Sequence, residues 1–206
     1  LLGTDPLEWF HWAPYREGRG FCSGNRKLGL EGATIFVPSG ERESLQKELQ
    51  EKGAFPMEQA LYEVLRIENG FPKWGRDMGG EELPMEAQLT PIAISYTKGC
   101  YLGQEVIQRI KTYGEPPKRL VFLEIEGDSL PPQGTLLRKG GEIVGRVTSS
   151  TFSFRLGKNI AMGYVRKECK EPGTLLEIDG FPAAMVCVQR LPWLAPYGIV
   201  EDAKQR

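Results

Sequence analysis

The chain has 206 residues, 40% of them hydrophobic and 26% charged, with a formal net charge of −1. That length supports one or two domains with a real core, the near-neutral charge argues against nucleic-acid binding by bulk charge, and no apolar run approaches the roughly 20 residues of a membrane span. With one histidine, His11, and four scattered cysteines, Cys22, Cys100, Cys169 and Cys187, neither a zinc or iron–sulfur site made by this chain alone nor a Ser-His-Asp triad is expected.

The chain opens Leu1-Leu2-Gly3-Thr4-Asp5-Pro6, without an initiator Met, a basic n-region or an apolar h-region, so it reads as a fragment with no visible signal peptide. The unpaired cysteines suit a reducing compartment: the cytoplasm, or the mitochondrial matrix in a eukaryote. Residues 1–24 are rich in aromatics, glycine and arginine, including Trp9, Phe10, Trp12, Tyr15, Arg16, Arg19 and Phe21. They read as a connecting segment packed on the body rather than an arm lining a ligand channel.

Residues 33–38 predict a strand ended by Pro38. Ser39 or Gly40 caps a helix carrying Leu45 and Leu49, and Gly53 ends it. A second helix opens at Pro56, with Met57, Ala60, Leu61, Val64 and Leu65 as its apolar stripe and Gly70 closing it. Strand, helix and helix with short links indicate an α+β unit. Within it, Arg66 is either a surface partner for a nearby glutamate or a guanidinium fork for a ligand carboxylate. Trp74 is a packing or ring-stacking residue. Glu86 is either an acid at a helix start or a hydrogen-bond acceptor for a ligand.

The stretch Lys98-Gly99-Cys100-Tyr101-Leu102-Gly103-Gln104-Glu105 sets a lone thiol between glycines, beside a lysine. Val106, Ile107 and Ile110 recur at helical spacing, so a helix is predicted from about Gly103 to Lys111. Its N-terminal partial charge and Lys98 both favour an anion at the thiol, and Glu105 opposes it. Arg109, Lys111, Lys118 and Arg119 form a local basic zone, a solvated face or an attractor for a polyanionic tail.

Composition changes at Pro116-Pro117. Beyond a boundary near 118, residues 120–125, 135–138, 143–148, 160–165, 174–178 and 183–188 read as short strands split by Gly-, Pro- and Asp-containing turns, a small barrel or sandwich. Here Arg146 and Arg155 read as surface charges, Cys169 as an exposed turn thiol and Cys187 as core.

The Lys98–Glu105 stretch resembles the signature of the folate-binding YgfZ family, in the superfamily of the glycine-cleavage T-protein, the aminomethyltransferase. Leu65-Arg66-Ile67-Glu68-x-Gly70, Trp74-Gly75-Arg76-Asp77-Met78 and Pro84-x-Glu86-Ala87 are similar to the superfamily's middle segment. Gly141-x-x-Val144-Gly145-x-Val147-Thr148-Ser149, Asn159 to Val165 and Pro172-Gly173-Thr174 are similar to its C-terminal barrel. The resemblance implies a T-protein-like α/β lobe in 1–118 followed by an antiparallel barrel in 119–206, with the first lobe largely missing. It also implies a tetrahydrofolate cofactor and iron–sulfur enzyme clients, some of them tRNA-modifying, with neither membrane nor direct nucleic-acid partners. Cys100 and Lys98 would be the reactive pair. Arg66, Glu86, Tyr101, Gln104, Glu105 and Arg109 would bind or support the folate. The alternative the resemblance implies is a folate-dependent aminomethyltransferase or demethylase. The chain departs from T-proteins at Leu30 and Tyr62, which stand where those proteins carry folate-holding glutamate and arginine residues.

Overall fold

The computed structural model describes residues 12–128 and 130–197, so Trp9, Phe10 and His11 lie outside the described residues. The chain divides into two compact units after Asn69.

The first unit contains a three-stranded antiparallel sheet, β1 (Trp12–Tyr15), β2 (Gly20–Asn25) and β3 (Gly32–Phe36), paired in chain order. The described part of the segment read as a connector, residues 12–24, is therefore a hairpin. Proline, glycine and arginine hide the strand alternation, yet Tyr15 and Cys22 are buried. Phe21 and Phe36, opposite each other in the register, stack at 4.5 Å on the other face. Such a pair stabilises a sheet by about 0.5–1.5 kcal/mol. The tight turn holds Arg16 and Glu17 at positive φ. The Arg16 guanidinium reaches Glu41 at 3.1 Å and also pairs with Glu48.

A 3-10 turn over Ser39–Glu41 leads into α1 (Arg42–Glu51). Next comes α2 (Gln59–Glu68), which starts three residues after Pro56 because Glu58 is still extended, at ψ 145°. The predicted stripe of α2 is not its buried face. Met57 and Leu61 are exposed, whereas Arg66, Ile67 and Glu68 at its C-terminal end are buried.

The second unit is dominated by a closed barrel. Its strands are β4 (Lys118–Glu126), β5 (Leu136–Lys139), β6 (Glu142–Ser153), β7 (Lys158–Arg166), β8 (Leu175–Ile178) and β9 (Phe181–Gln189). They close in the order β4-β7-β6-β5-β8-β9 with every pair antiparallel, which leaves no edge strand exposed. Leu123, Leu137, Val147, Ala161, Val165, Leu176, Val186 and Val188 fill its interior. Each buried Val or Leu contributes on the order of 1.5–3 kcal/mol. At Gly145 a Cβ would stand 2.3 Å from the Tyr164 carbonyl oxygen, so the β6–β7 contact requires glycine there.

Two cysteine expectations are corrected here. Cys169 is buried: it ends a 3-10 turn, Lys167–Cys169, that points it into the barrel core while its charged neighbours face water. Cys187 is only half-buried, because Val186 and Val188 take the inward positions of β9 and put it on the opposite face.

Residues 70–117 belong to the same compact unit as the barrel and are mostly irregular. They hold the one-turn α3 (Thr90–Ala93) and α4 (Gln104–Tyr113). No helix among the described residues is long and apolar enough to cross a membrane.

Candidate functional site

With so little regular structure of its own, the segment around residues 73–88 takes its shape from the barrel. A register shift between Val147 and Ser149 in β6 leaves the consecutive residues Thr148 and Ser149 both buried, where a regular strand would turn one outward. Both hydroxyls donate to Oδ1 of Asp77, at 2.7 and 2.6 Å, and the Lys73 amide donates to Oδ2 at 3.0 Å. Asp77, 1% exposed, thus fastens its loop to the barrel.

One turn further on, both oxygens of Glu82 are used. The Gly79 amide donates to Oε2 at 2.9 Å, and Arg146 of β6 donates to Oε1 at 2.8 Å with Lys118 at 3.4 Å from the same atom. Arg146, read as a surface charge, is therefore the partner of a nearly buried carboxylate; half its side chain remains in water, consistent with its charge.

Glu86 follows at 4% exposure. Its carbonyl accepts the Leu120 amide at 2.8 Å, and Gln88 donates its side-chain amide to the Leu120 carbonyl at 2.5 Å, so both main-chain groups of Leu120 hold the segment. The Oε2 atom of Glu86 accepts the Leu83 amide at 3.1 Å and lies 3.7 Å from the Lys118 ammonium. Among the described residues, Oε1 has no hydrogen-bond partner. The Glu86 carboxylate caps a turn, and it does so with one oxygen only.

Tyr164 of β7 completes this cluster. Its ring lies 5.1 Å from the Lys118 ammonium, and its buried hydroxyl has no partner among the described residues. Burial pushes the phenol well above its ordinary value, and Glu82, Glu86 and Asp77 push in the same direction.

The signature loop is built differently. Gly103, at φ 84°, is the N-cap of α4, close to the predicted start, and offers the helix no side-chain cap. Cys100 is exposed just ahead of it. The Lys98 ammonium lies 4.7 Å over the Tyr101 ring, and the Lys98 backbone amide donates to the Ser95 hydroxyl at 3.2 Å. Tyr101 is half-buried, and its hydroxyl is enclosed without a partner among the described residues. Glu105 and Arg109 are exposed on α4 and Gln104 is half-buried. The basic zone does not act as one patch: Lys111 sits 3.8 Å over Tyr96, whereas Lys118 is committed to Glu82 and Glu86. Burial, followed by the neighbouring Tyr101, raises the Tyr96 phenol.

Arg66 lies in the first unit and is not on the surface. It is 1% exposed and grips Glu63 through Nε and Nη2 at 3.1 and 2.9 Å. Trp74 is exposed, so of its two readings core packing does not hold. A cavity of about 430 Å³ on the barrel is lined by Glu124, Glu126, Asp128, Phe152 and Cys187, none of them a predicted site residue. Sequence reasoning passed over Asp77, Glu82 and Arg146 as site-building residues. The available signals were the four-residue spacing of Glu82 and Glu86 and the Thr148-Ser149 pair directly after Val147.

Residues 118–189 match the glycine cleavage T-protein C-terminal barrel domain. The chain is 34% identical over 155 residues to an aminomethyltransferase of Symbiobacterium thermophilum, covering 73% of the chain and 41% of that protein. It is 32% identical over 178 residues to an aminomethyltransferase of Synechocystis sp., covering 86% of the chain and 48% of that protein. It thus spans less than half the length of these relatives. The crystal structure of glycine cleavage system aminomethyltransferase T from Bartonella henselae shares the fold, with a TM-score of 0.81 over 93% of this chain and 54% of that one, at 23% identity. Together the barrel domain and the relatives support a place in the glycine-cleavage T-protein superfamily.

Proposed function

We propose that this chain forms the tetrahydrofolate-binding part of a folate-dependent one-carbon transferase of the aminomethyltransferase type. The observation that carries the reading is Glu86: a carboxylate 4% exposed, one oxygen tied by Leu83 and Lys118, and the other open. An oxygen left without a protein partner is free to accept from a ligand, whose donor takes the place of water there. The pterin ring of a folate presents a 2-amino group and a ring N–H side by side, a planar donor edge suited to a carboxylate. When bound, tetrahydrofolate would supply the nitrogens that accept a one-carbon unit. Glu86 would orient the ring.

The test is calorimetry of the intact protein with tetrahydrofolate under reducing conditions. Glu86→Gln should weaken binding by about tenfold or more, the loss expected for a charge-assisted hydrogen bond. Unchanged affinity would refute the reading.

A second reading rests on Cys100, which is exposed in the glycine-flanked loop ahead of α4. By resemblance to the YgfZ family, this thiol serves assembly or repair of iron–sulfur enzymes, sharing a cluster with a partner or exchanging thiols. Cys100→Ser, tested for rescue of an iron–sulfur enzyme defect in cells lacking the protein, separates the two. Full rescue removes the thiol from the function.

A further inference from the structure

The carboxylate that would meet the pterin is aimed by the barrel. A carboxylate has two equivalent oxygens, and the one that stays open is decided by where donors and cations stand. At Glu86 the Leu83 amide and the Lys118 ammonium both address Oε2, at 3.1 and 3.7 Å. Among the described residues, Lys118 is the only cation paired with Glu86.

Lys118 is the first residue of β4, with 34% of its side chain exposed. A lysine so placed would ordinarily extend its ammonium into water. Here it is drawn back by Glu82 Oε1 at 3.4 Å and by the Tyr164 ring. Glu82 is in turn fixed by Arg146 and the Gly79 amide. The chain Arg146–Glu82–Lys118–Glu86 thus runs from β6 of the barrel to Oε2 of Glu86, opposite the open oxygen. Its two ends respond unequally to loss of Lys118. Glu82 keeps two partners, whereas Glu86 keeps only the Leu83 amide.

We infer that Lys118 is a positioning residue for folate recognition: it turns Oε1 of Glu86 toward the ligand, with the Arg146–Glu82 pair holding Lys118 in place. This rests on Glu86 being the pterin contact. At 3.7 Å the Lys118–Glu86 contact is an ion pair rather than a hydrogen bond, so it adds little to folding stability and acts chiefly on orientation.

The experiment compares tetrahydrofolate with an analogue whose pterin 2-amino group is replaced by methyl. Binding of each to the intact protein is measured by calorimetry for wild type, Glu86→Gln, Lys118→Met and Lys118→Arg, alongside thermal melts. Wild type should prefer tetrahydrofolate by about tenfold or more, the scale of one charge-assisted hydrogen bond. Lys118→Met should reduce that preference to about threefold or less, with its melting temperature within about 4 °C of wild type. Lys118→Arg should restore the preference. Should Lys118→Met fail to fold, the role is structural and the inference falls. Retention of the full preference in Lys118→Met overturns the inference while leaving Glu86 as the contact. An unchanged preference in Glu86→Gln removes the contact itself, and the inference with it.

Discussion

Replacing Asp77 by alanine should unfasten the site segment from the barrel. At least three donors converge on this 1%-exposed carboxylate, among them Thr148 Oγ1 at 2.7 Å, Ser149 Oγ at 2.6 Å and the Lys73 amide at 3.0 Å. Hydrogen bonds to a charged group contribute about 1.5–3 kcal/mol each, but removing a buried charge also relieves its desolvation, so the net loss is expected at about 3–5 kcal/mol. Thr148 softens the loss, because its hydroxyl also lies 3.2 Å from the Met162 carbonyl. For a chain of this size the loss corresponds to a fall in melting temperature of about 2–4 °C per kcal/mol. Asp77→Asn keeps the shape and one acceptor, and should lose about 1–2 kcal/mol. Urea denaturation of the two variants and of Ser149→Ala, completed to a double-mutant cycle, measures this directly. The Asp77–Ser149 coupling should be about 1.5–3 kcal/mol. A loss below about 1 kcal/mol for Asp77→Ala, or additivity in the cycle, would refute the fastening role.

Thiol labelling of the native protein should modify Cys100 first, Cys187 more slowly, and Cys22 and Cys169 only on unfolding, since the first is exposed, the second half-buried and the last two buried. Burial also pushes the Cys169 thiol up, reducing its reactive thiolate; a fast phase that survives Cys100→Ser contradicts this order. Tyr164→Phe should leave stability at pH 7 unchanged or slightly raised, because the hydroxyl removed is buried without a partner among the described residues. The folded phenol titrates above its unfolded value, so its contribution is complete below about pH 10 and is lost as pH rises through the folded value. The phenylalanine variant should therefore gain on wild type above about pH 10 in denaturation series, and a gap that stays constant with pH would disprove the assignment.

The barrel was legible because its turns are. Gly-Asp, Gly-Gly, Pro-Gly and Asp-Gly pairs punctuate the chain, and each predicted run falls within or overlaps a strand of the barrel. β6 runs on to Ser153 past the predicted end, and Ser149 and Ser153 in that extension are fully buried, a placement that hydropathy alone assigns to loops. The alternation misled at Cys187, because in a run that is apolar throughout it does not say which set points in, and Val186 and Val188 take those positions. Cys169 was hidden by charged neighbours that a one-turn helix directs elsewhere. At the site, the local geometry of Cys100 and α4 could be read from glycine spacing. The web of Asp77, Glu82, Glu86, Lys118 and Arg146 could not, because its partners lie up to 72 residues apart and are joined only by barrel closure.

The two signature glycines on either side of Cys100 offer a sharper distinction, because they have different physical reasons to be glycine. Gly103 is at φ +84°, where a side chain is strained, and it caps α4. Gly103→Ala should lose about 1 kcal/mol, seen in denaturation. Gly99 lacks that constraint: no positive φ is recorded there, and a Cβ would meet nothing within 4 Å. Folding alone would accept alanine at Gly99, so Gly99→Ala should keep stability within about 0.5 kcal/mol of wild type. If a ligand or partner approaches the main chain beside the exposed thiol, the same substitution should weaken that association, in the tetrahydrofolate titration or in the rescue of an iron–sulfur enzyme. Loss of stability at Gly99 would mean that the loop is packed more tightly than an exposed thiol between open glycines implies. Unchanged stability with lost binding in one of the two assays would identify which of them depends on the Cys100 loop.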